Sequence, residues 1–511
     1  MYRKYFTRDN SILALFMSLK VFVQYRIIHP VYDLQRDEYL HLDQANHPAW
    51  GYISLPPLSS WVAMIIKALG NDVFWVKFFP AVFGAFTIFF AWKIVQALNG
   101  NLFSKILVAT ALLVSVLLRL NTLFQPNSFE VMAWTAFYYY LVRLVQSEKS
   151  KYLYVLALVA AIGFLNKYNI AFMLAGLLPA IIITPFRGIF RNKHLYFASI
   201  FFLLLISPNI VWQVQHHYPV VHHMKTLAKT QLVNVERSGF LKEQLLFFIN
   251  SLFITFAAFI ALIRYAPFRA YRFIGWGYLF SISLYVYMHA KGYYAIGLYP
   301  VLLSFGTVYL EQVTERKNKW VYRGLMFIVQ LLMFLPVLQV ALPDKSPAQI
   351  AANIEPYRKL GLLRWEDGKE HSLPQDFADM LGWRELSYKV DSVYNTIPDK
   401  KSILVLCDNY GEAGAINYYS INNLKAVTFN ADYINWFPLG MNIKHVILVV
   451  EPGEEDPRHG DEVTFCDSVY KTGEITEVNA REKGTSIYVL KNIKIDVWPR
   501  LMEEMLERKK Y

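Results

Sequence analysis

The sequence predicts a polytopic α-helical membrane protein of about eleven transmembrane helices, followed by a C-terminal extracytoplasmic α/β domain. Three observations lead to this class. Of 511 residues, 55% are hydrophobic and only 18% charged, whereas a soluble chain carries about a quarter charged residues. The apolar residues gather in runs of about 17 to 25 residues, the length that crosses a hydrocarbon core of about 30 Å. Beyond Pro343 the hydropathy falls and short strand-like segments begin.

The expected spans cover residues 11–28, 73–98, 105–121, 128–146, 152–165, 169–185, 195–213, 245–263, 273–288, 295–313 and 324–342. They define a transmembrane unit at 1–343, with a long first outer loop at 29–72, and a soluble unit at 344–511. Basic residues precede the first apolar run, as in a signal peptide, but no small-residue cleavage site follows at 25–30, so a retained first helix is expected. Short loops rich in Lys and Arg favour the cytoplasm. Arg3, Lys4 and Arg8 precede the first span, and Arg187, Arg191, Lys193, Arg264, Arg269, Arg272, Arg316, Lys317, Lys319 and Arg323 fall in alternate loops. The N-terminus is therefore expected in the cytoplasm, with residues 29–72, 216–244, 289–294 and everything after Pro343 outside.

In the soluble unit, residues 402–407, 445–450, 463–465 and 486–490 read as strands, and 375–381 and 385–394 as helices. Cys407 and Cys466 lie in a compartment that permits a disulfide, and two buried thiols satisfy the pattern equally. The net charge of +12 comes largely from the cytoplasmic loops. With no zinc-finger, P-loop or GxGxxG pattern, it gives no reason to expect a nucleic-acid partner.

Chemistry points to the first outer loop. Asp37 and Glu38 are adjacent carboxylates at the mouth of the bundle, followed by Tyr39 and Trp50, which suit the water–lipid interface. A solvated turn with an aromatic belt satisfies the same residues. The loop is about forty residues long, however, more than a connector needs, and Pro48, Pro56 and Pro57 favour a shaped, re-entrant or amphipathic segment. Lys291 and Lys167 read either as cations for an anionic group or as anchors at the interface. His216, His217, His222 and His223 invite a metal reading, but their spacing fits no structural zinc pattern and interfacial histidines explain them as well. Trp383, Asn409, Tyr410 and Glu412 suit a carbohydrate surface or a fold-defining turn, with Gly411 and Gly414 marking a strand-to-helix crossing.

Taken together, Asp37-Glu38 and the segments HPAWGYISLPPL (47–58), QPNSFEVMAW (125–134), FLNKYNIAF (164–172), SPNIVWQVQHHYPVVHHM (207–224) and KGYYAIGLYPVL (291–302) resemble a known family. It is the bacterial branch of the dolichyl-phosphate-mannose protein mannosyltransferase-like family, integral membrane glycosyltransferases of the GT-C class that include relatives similar to the aminoarabinose transferases. LGW at 381–383 and NYGEAGAI at 409–416 carry the resemblance into the outer domain.

The resemblance implies an inverting glycosyltransferase at the outer face of the cytoplasmic (inner) membrane. It would move a sugar from a polyprenyl-phosphate carrier to a lipid, glycan or protein acceptor, with membrane lipids as its other partners. Asp37 would be the general base or acceptor-orienting carboxylate and Glu38 its supporting partner. Lys291, Tyr293, Tyr294, Lys167, Tyr168, His47, Tyr52, Asn209 and Gln213 would bind the substrate and the carrier phosphate. The resemblance fixes no cofactor, and a divalent metal stays open. Some relatives resembling the aminoarabinose transferases use a carboxylate just before the Pro-Pro pair as a metal ligand; here Ser54-Leu55 precedes Pro56-Pro57, so that ligand is missing. The competing class is a lipid or sugar transporter or flippase without transferase chemistry. Such proteins usually repeat their halves, and no repeat is visible here.

Overall fold

The structure is a computed structural model, and it describes residues 8–315, 318–453 and 462–509. Arg3, Lys4, Arg316 and Lys317 of the orientation argument lie outside the described residues. Every expected span is occupied by helix, beginning with Arg8–Arg26 and Val73–Ala97 and ending with Lys319–Val340. Four helical stretches are long and apolar enough to cross a membrane: Val73–Ala97, Lys193–Gln215, Gly292–Val313 and Lys319–Val340. Two further pairs are bent, Ile170–Ile182 with Pro185–Arg191 by 104° and Arg237–Leu246 with Ile249–Arg264 by 61°, so six is the upper count among the described residues. The expected eleven are thus helical stretches, of which four to six meet the length and composition of a span.

The expected span at 105–121 shows why the lengths fall short. Its helix stops at Leu113 and resumes for one turn at Leu117–Leu120. The carbonyls of Leu117 and Leu118 accept hydrogen bonds from Lys20 Nζ (2.9 Å) and Gln24 Nε2 (3.0 Å) of the first helix. Buried polar side chains there satisfy backbone groups beside the break.

Beyond the helices lies a five-stranded sheet in the order β2-β1-β3-β5-β4. Its strands are β1 (Ile403–Cys407), β2 (Val427–Thr428), β3 (His445–Val450), β4 (Ser468–Glu474) and β5 (Ser486–Lys491). β2, β1 and β3 are parallel, while β5 runs antiparallel to β3 and β4. The runs ILVLC and HVILVV are apolar at nearly every position because both sheet faces are covered. Val405, Cys407, Ile447 and Val449 face one core; Leu404, Val446 and Leu490 face another. The expected strand at 463–465 is instead part of a single 3-10 turn, Glu462–Thr464, and β4 follows it. Cys407 and Cys466 are buried free thiols.

The segment at residues 29–72 is built into this domain. It contains two helices, Arg36–Gln44 and Leu58–Ala68. Leu34, Tyr39, Leu40 and Leu42 belong to the same core as Val405, Ile416 and Ile447. Helix Arg36–Gln44 packs on helix Tyr410–Tyr419, and a Cβ at Gly414 would meet Tyr39 Cβ at 2.6 Å and Tyr433 Oη at 2.7 Å. Gly411 likewise admits Trp383 and Arg36, so the two glycines permit a close helix–helix contact.

Candidate functional site

The loop helix begins with a reciprocal cap. The Gln35 side chain accepts the Asp37 N–H at 2.9 Å, and Glu38 Oε2 accepts the Gln35 N–H at 2.8 Å. This is the capping-box arrangement, with Gln in the usual Ser or Thr place. It sets the two adjacent carboxylates on different paths.

Glu38 has no solvent exposure. Lys77 Nζ donates to Oε1 at 2.8 Å and to Oε2 at 2.6 Å, and the Phe124 N–H donates to Oε1 at 2.6 Å. Buried, paired and fully hydrogen-bonded, Glu38 clamps the loop helix to helix Val73–Ala97 and to the turn before Pro126.

Asp37 is half-buried and keeps acceptor capacity. Its Oδ1 accepts the Tyr410 hydroxyl at 2.7 Å and its Oδ2 accepts Gln125 Nε2 at 3.0 Å. A carboxylate offers about four lone-pair positions, and both of these partners are neutral. Gln125 immediately precedes Pro126 at the first turn of helix Pro126–Ser147. Tyr410 opens helix Tyr410–Tyr419, which Asn409 caps by accepting the N–H groups of Gly411 (2.7 Å) and Glu412 (3.0 Å). The Arg36 guanidinium lies over the Tyr410 ring, 4.5 Å from its centroid. Burial pushes the Tyr410 hydroxyl well above its ordinary range and, with Asp37, outweighs Arg36, so it remains a donor.

A second constellation assembles from residues 216–244, 289–294 and the C-terminal domain. Lys291 Nζ donates to Gln231 Oε1 at 2.8 Å and pairs with Glu366 of the C-terminal part of the chain. Burial pushes the Glu366 carboxyl up, but Lys291 and Gln375 outweigh it and hold it below the usual range. His223 lies within electrostatic reach of Lys291 and Asp37; burial and Lys291 lower its pKa against the pull of Asp37, favouring the neutral ring. Lys167 sits 4.4 Å and 5.2 Å from the ring centroids of Tyr294 and Tyr293. It donates to Asn127 Oδ1 at 2.8 Å and pairs with Glu130 at 3.2 Å. Asn169 Nδ2 bridges Glu130 (2.6 Å) and the Tyr294 carbonyl (2.9 Å), so Lys167, Tyr293 and Tyr294 form one network.

Other expected site residues hold the loop in shape. Tyr168 Oη joins Asn209 (3.1 Å) and Gln213 (3.0 Å), and Asn209 Nδ2 donates to the Trp50 carbonyl at 2.7 Å. Gly51 fits beside Trp212, where a Cβ would collide with the indole. Tyr52 Oη is buried against Ser60 Oγ (2.7 Å) and the carbonyls of Gln44 and His47 (3.1 Å each). His47 stacks on Trp436 at 4.3 Å.

The four histidines are not gathered into a ligand set among the described residues. His216 stacks on Trp212 at 4.1 Å, and its Nδ1 lies 2.8 Å from the Trp212 carbonyl. Leu55 occupies the place of the missing acidic ligand, so the residues here do not fit the metal arrangement those relatives suggest. The single described group of three close acidic ligands is Glu412, Glu451 and Glu482, in the C-terminal domain.

Sequence reasoning gave no role to Arg36, Gln125, Glu130, Gln231 or Glu366. Polar residues at 125, 127 and 130, opening an otherwise apolar helix, are the signal that could have found two of them. Glu366 carries no local signal, because its partner is 75 residues away.

Residues 54–212 match the model of the dolichyl-phosphate-mannose-protein mannosyltransferase family. The fold is similar to that of ArnT from Cupriavidus metallidurans bound to undecaprenyl phosphate, with a TM-score of 0.61 at 12% identity, covering 94% of this chain and 97% of that one. The resemblance to the mannosyltransferase-like family holds. The apo state of the same ArnT gives a TM-score of 0.60 at 12% identity, covering 94% and 98% of the two chains. No curated protein matches the sequence. The matched mannosyltransferase segment holds Lys77, Gln125, Lys167 and Asn209, while Asp37 precedes it and Lys291 follows it.

Proposed function

We propose that the chain is an inverting glycosyltransferase that moves a sugar from a polyprenyl-phosphate carrier to a lipid, glycan or protein acceptor outside the cytoplasmic membrane. The observation that carries this reading is the unequal treatment of two adjacent carboxylates. Glu38 is buried and saturated, and Asp37 is held by two neutral donors with acceptor capacity left over. Asp37 would accept the proton of an acceptor hydroxyl, or orient an acceptor that is already ionised. The acceptor oxygen bonds to the anomeric carbon as the bond to the carrier phosphate breaks.

The leaving group is then a phosphate monoester, and developing negative charge needs a positioned cation. Lys291 fits this role, since its side chain is not fully buried and its partner Glu366 can exchange for phosphate. Lys167, packed on Tyr293 and Tyr294, adds a second positive field. On this reading the eleven helical stretches cross the membrane and the chain divides at residue 343. The first outer loop, residues 216–244 and 289–294, and the C-terminal domain then share the outer face. Contacts among those segments, such as Asp37 with Tyr410 and Lys291 with Glu366, support the common side.

The test is release of free polyprenyl phosphate by the purified protein in lipid nanodiscs, given a panel of polyprenyl-phosphate sugars and a cell-envelope extract. Release by wild type that is lost in Asp37→Asn supports the reading. Undiminished release by a folded Asp37→Asn protein would refute the role of Asp37, and no release with any donor would favour a transporter.

A further inference from the structure

At the other end of the bundle, helices Val73–Ala97 and Pro126–Ser147 part around a half-open cavity of about 550 Å³, lined by Lys93, Gln96, Asn99, Tyr139, Arg143 and Gln146. Lys77, which holds Glu38 at the Asp37 site, lies on the same helix as Gln96. Nineteen residues separate them, a rise of about 30 Å along an α-helix. The cavity is therefore on the face opposite the proposed transferase centre.

Its charge is uncompensated. Lys93 Nζ donates to Gln96 Oε1 at 3.1 Å, and Arg143 reaches the Tyr152 hydroxyl at 3.5 Å. Neither cation forms an ion pair among the described residues, and no carboxylate lines the cavity. The Arg143 Nε–H is buried without a hydrogen-bond partner. Lys93 Nζ also lies 5.6 Å from the Phe89 ring centroid, and a guanidinium and an ammonium without a carboxylate partner suit a tetrahedral oxyanion with several acceptor oxygens. Side-chain amides of Gln96 and Asn99 supply further donors, while that of Gln146 already donates to the Ala97 carbonyl.

The apolar surroundings indicate where the rest of the ligand lies. Phe86 is 40% exposed and begins an aromatic ladder running toward the cavity. Phe86 and Phe89 are 6.0 Å apart, Phe89 and Phe90 5.2 Å, and Phe90 and Tyr139 6.1 Å. Basic pockets between membrane helices near the cytoplasmic surface are suited to anionic headgroups, with acyl chains continuing along the helices.

We propose that this cavity binds the phosphate group of an anionic membrane lipid through Lys93 and Arg143, with its acyl chain along Phe86, Phe89 and Phe90. A phosphate from solution offers the same oxyanion without the chain. The site is separate from the transferase centre, and its place at the cytoplasmic side of the membrane rests on the topology proposed above.

The experiment titrates the full-length protein in detergent with phosphatidylglycerol and with phosphatidylcholine, reading lipid adducts by native mass spectrometry. Wild type should retain phosphatidylglycerol about tenfold more tightly than phosphatidylcholine. K93Q/R143Q should lose that preference, and K93R/R143K should keep most of it. If millimolar inorganic phosphate displaces the lipid from wild type but not from K93Q/R143Q, the site is for phosphate and the headgroup is one source. If phosphate does not displace it, the lipid chain is required. Equal retention of the two lipids by wild type, or an unchanged preference in K93Q/R143Q, would overturn the proposal. Should the double variant fail to fold, R143Q alone decides it by the same criterion.

Discussion

The Tyr410 hydroxyl of the C-terminal domain donates to Asp37 Oδ1 at 2.7 Å across 373 positions of sequence. The carboxylate at the centre of the proposed reaction is thus oriented from both sides, by Gln125 of the helical bundle and by Tyr410 of the domain above it. The C-terminal domain completes the immediate surroundings of Asp37.

Removing the carboxylate and removing its orienting partner should differ in degree. Asp37→Asn should lower polyprenyl-phosphate release by about 10²- to 10⁴-fold, the range expected for a positioned acid–base group. Tyr410→Phe keeps the ring beneath Arg36 and deletes one hydrogen bond, so its loss should be about tenfold, a net effect near 1.4 kcal/mol. The ratio of the two rates, measured in one nanodisc preparation, checks the assignment. A Tyr410→Phe loss as large as that of Asp37→Asn would make Tyr410 more than a positioning residue.

Glu38 should behave as a structural group. Glu38→Gln leaves Lys77 buried without its counter-charge, at a cost of about 3–5 kcal/mol. Replacing both partners, as Glu38→Gln with Lys77→Met, should recover part of that loss because no unpaired charge remains. Melting temperatures of the detergent-solubilised proteins, followed by tryptophan fluorescence, test the order: wild type highest, double variant intermediate, single variant lowest.

The fold and the site were legible to different depths. β1, β3 and β5 stand out in the sequence because strands covered on both faces are continuously apolar. β4, SVYKTGE, is an exposed edge with a register shift between Lys471 and Gly473, so it lacks both alternation and hydrophobicity. β2 has only two residues and no pattern to detect. Helix positions followed from hydropathy, whereas breaks such as that after Leu113 depend on partners from other helices. At the site, adjacency singled out Asp37 and Glu38 as a pair. Their difference lies in Lys77 and the Phe124 N–H on one side and in Tyr410 on the other, which are tertiary facts. Asn409 and Glu412 prove to be a capping pair, the second of the alternatives that the NYGEAGAI segment allowed.

Gly414 is the point at which helix Tyr410–Tyr419 meets the loop helix, so Gly414→Ala should loosen the outer domain from the loop. Its methyl would meet Tyr39 Cβ and Tyr433 Oη below 3.0 Å. Overpacking of this kind costs about 1–3 kcal/mol. Gly188→Ala, with nothing within 4 Å, is the control and should be neutral. Limited proteolysis between the helical bundle and the C-terminal sheet domain should accelerate in the first variant only.

Stability should fall as pH rises through the weakly acidic range, because buried carboxyls join the outer domain to the loop. Burial pushes Asp379 up to about 7, outweighing Arg481 and Arg36, and pushes Asp432 up to about 6 against the hydrogen bonds of Ile53 and Gln44. A carboxyl raised on folding binds more protons in the native state than in the unfolded state. Its stabilising contribution is full below the unfolded value near 4 and is lost as pH rises through the folded one. The window therefore runs from about pH 4 to pH 7 for Asp379 and from about pH 4 to pH 6 for Asp432. Each would contribute roughly 2–4 kcal/mol across its window. Gln35 Nε2 donates to Asp379 at 3.3 Å, while Gln44 Nε2 and the Ile53 N–H donate to Asp432 at 2.8 Å each, so the loop and the outer domain should loosen together. Melting temperature measured from pH 5 to pH 8 should decline, and Asp379→Asn with Asp432→Asn should flatten the decline by removing the ionisable groups. A wild-type profile that rises over that interval would show that these carboxyls are already ionised in the folded protein.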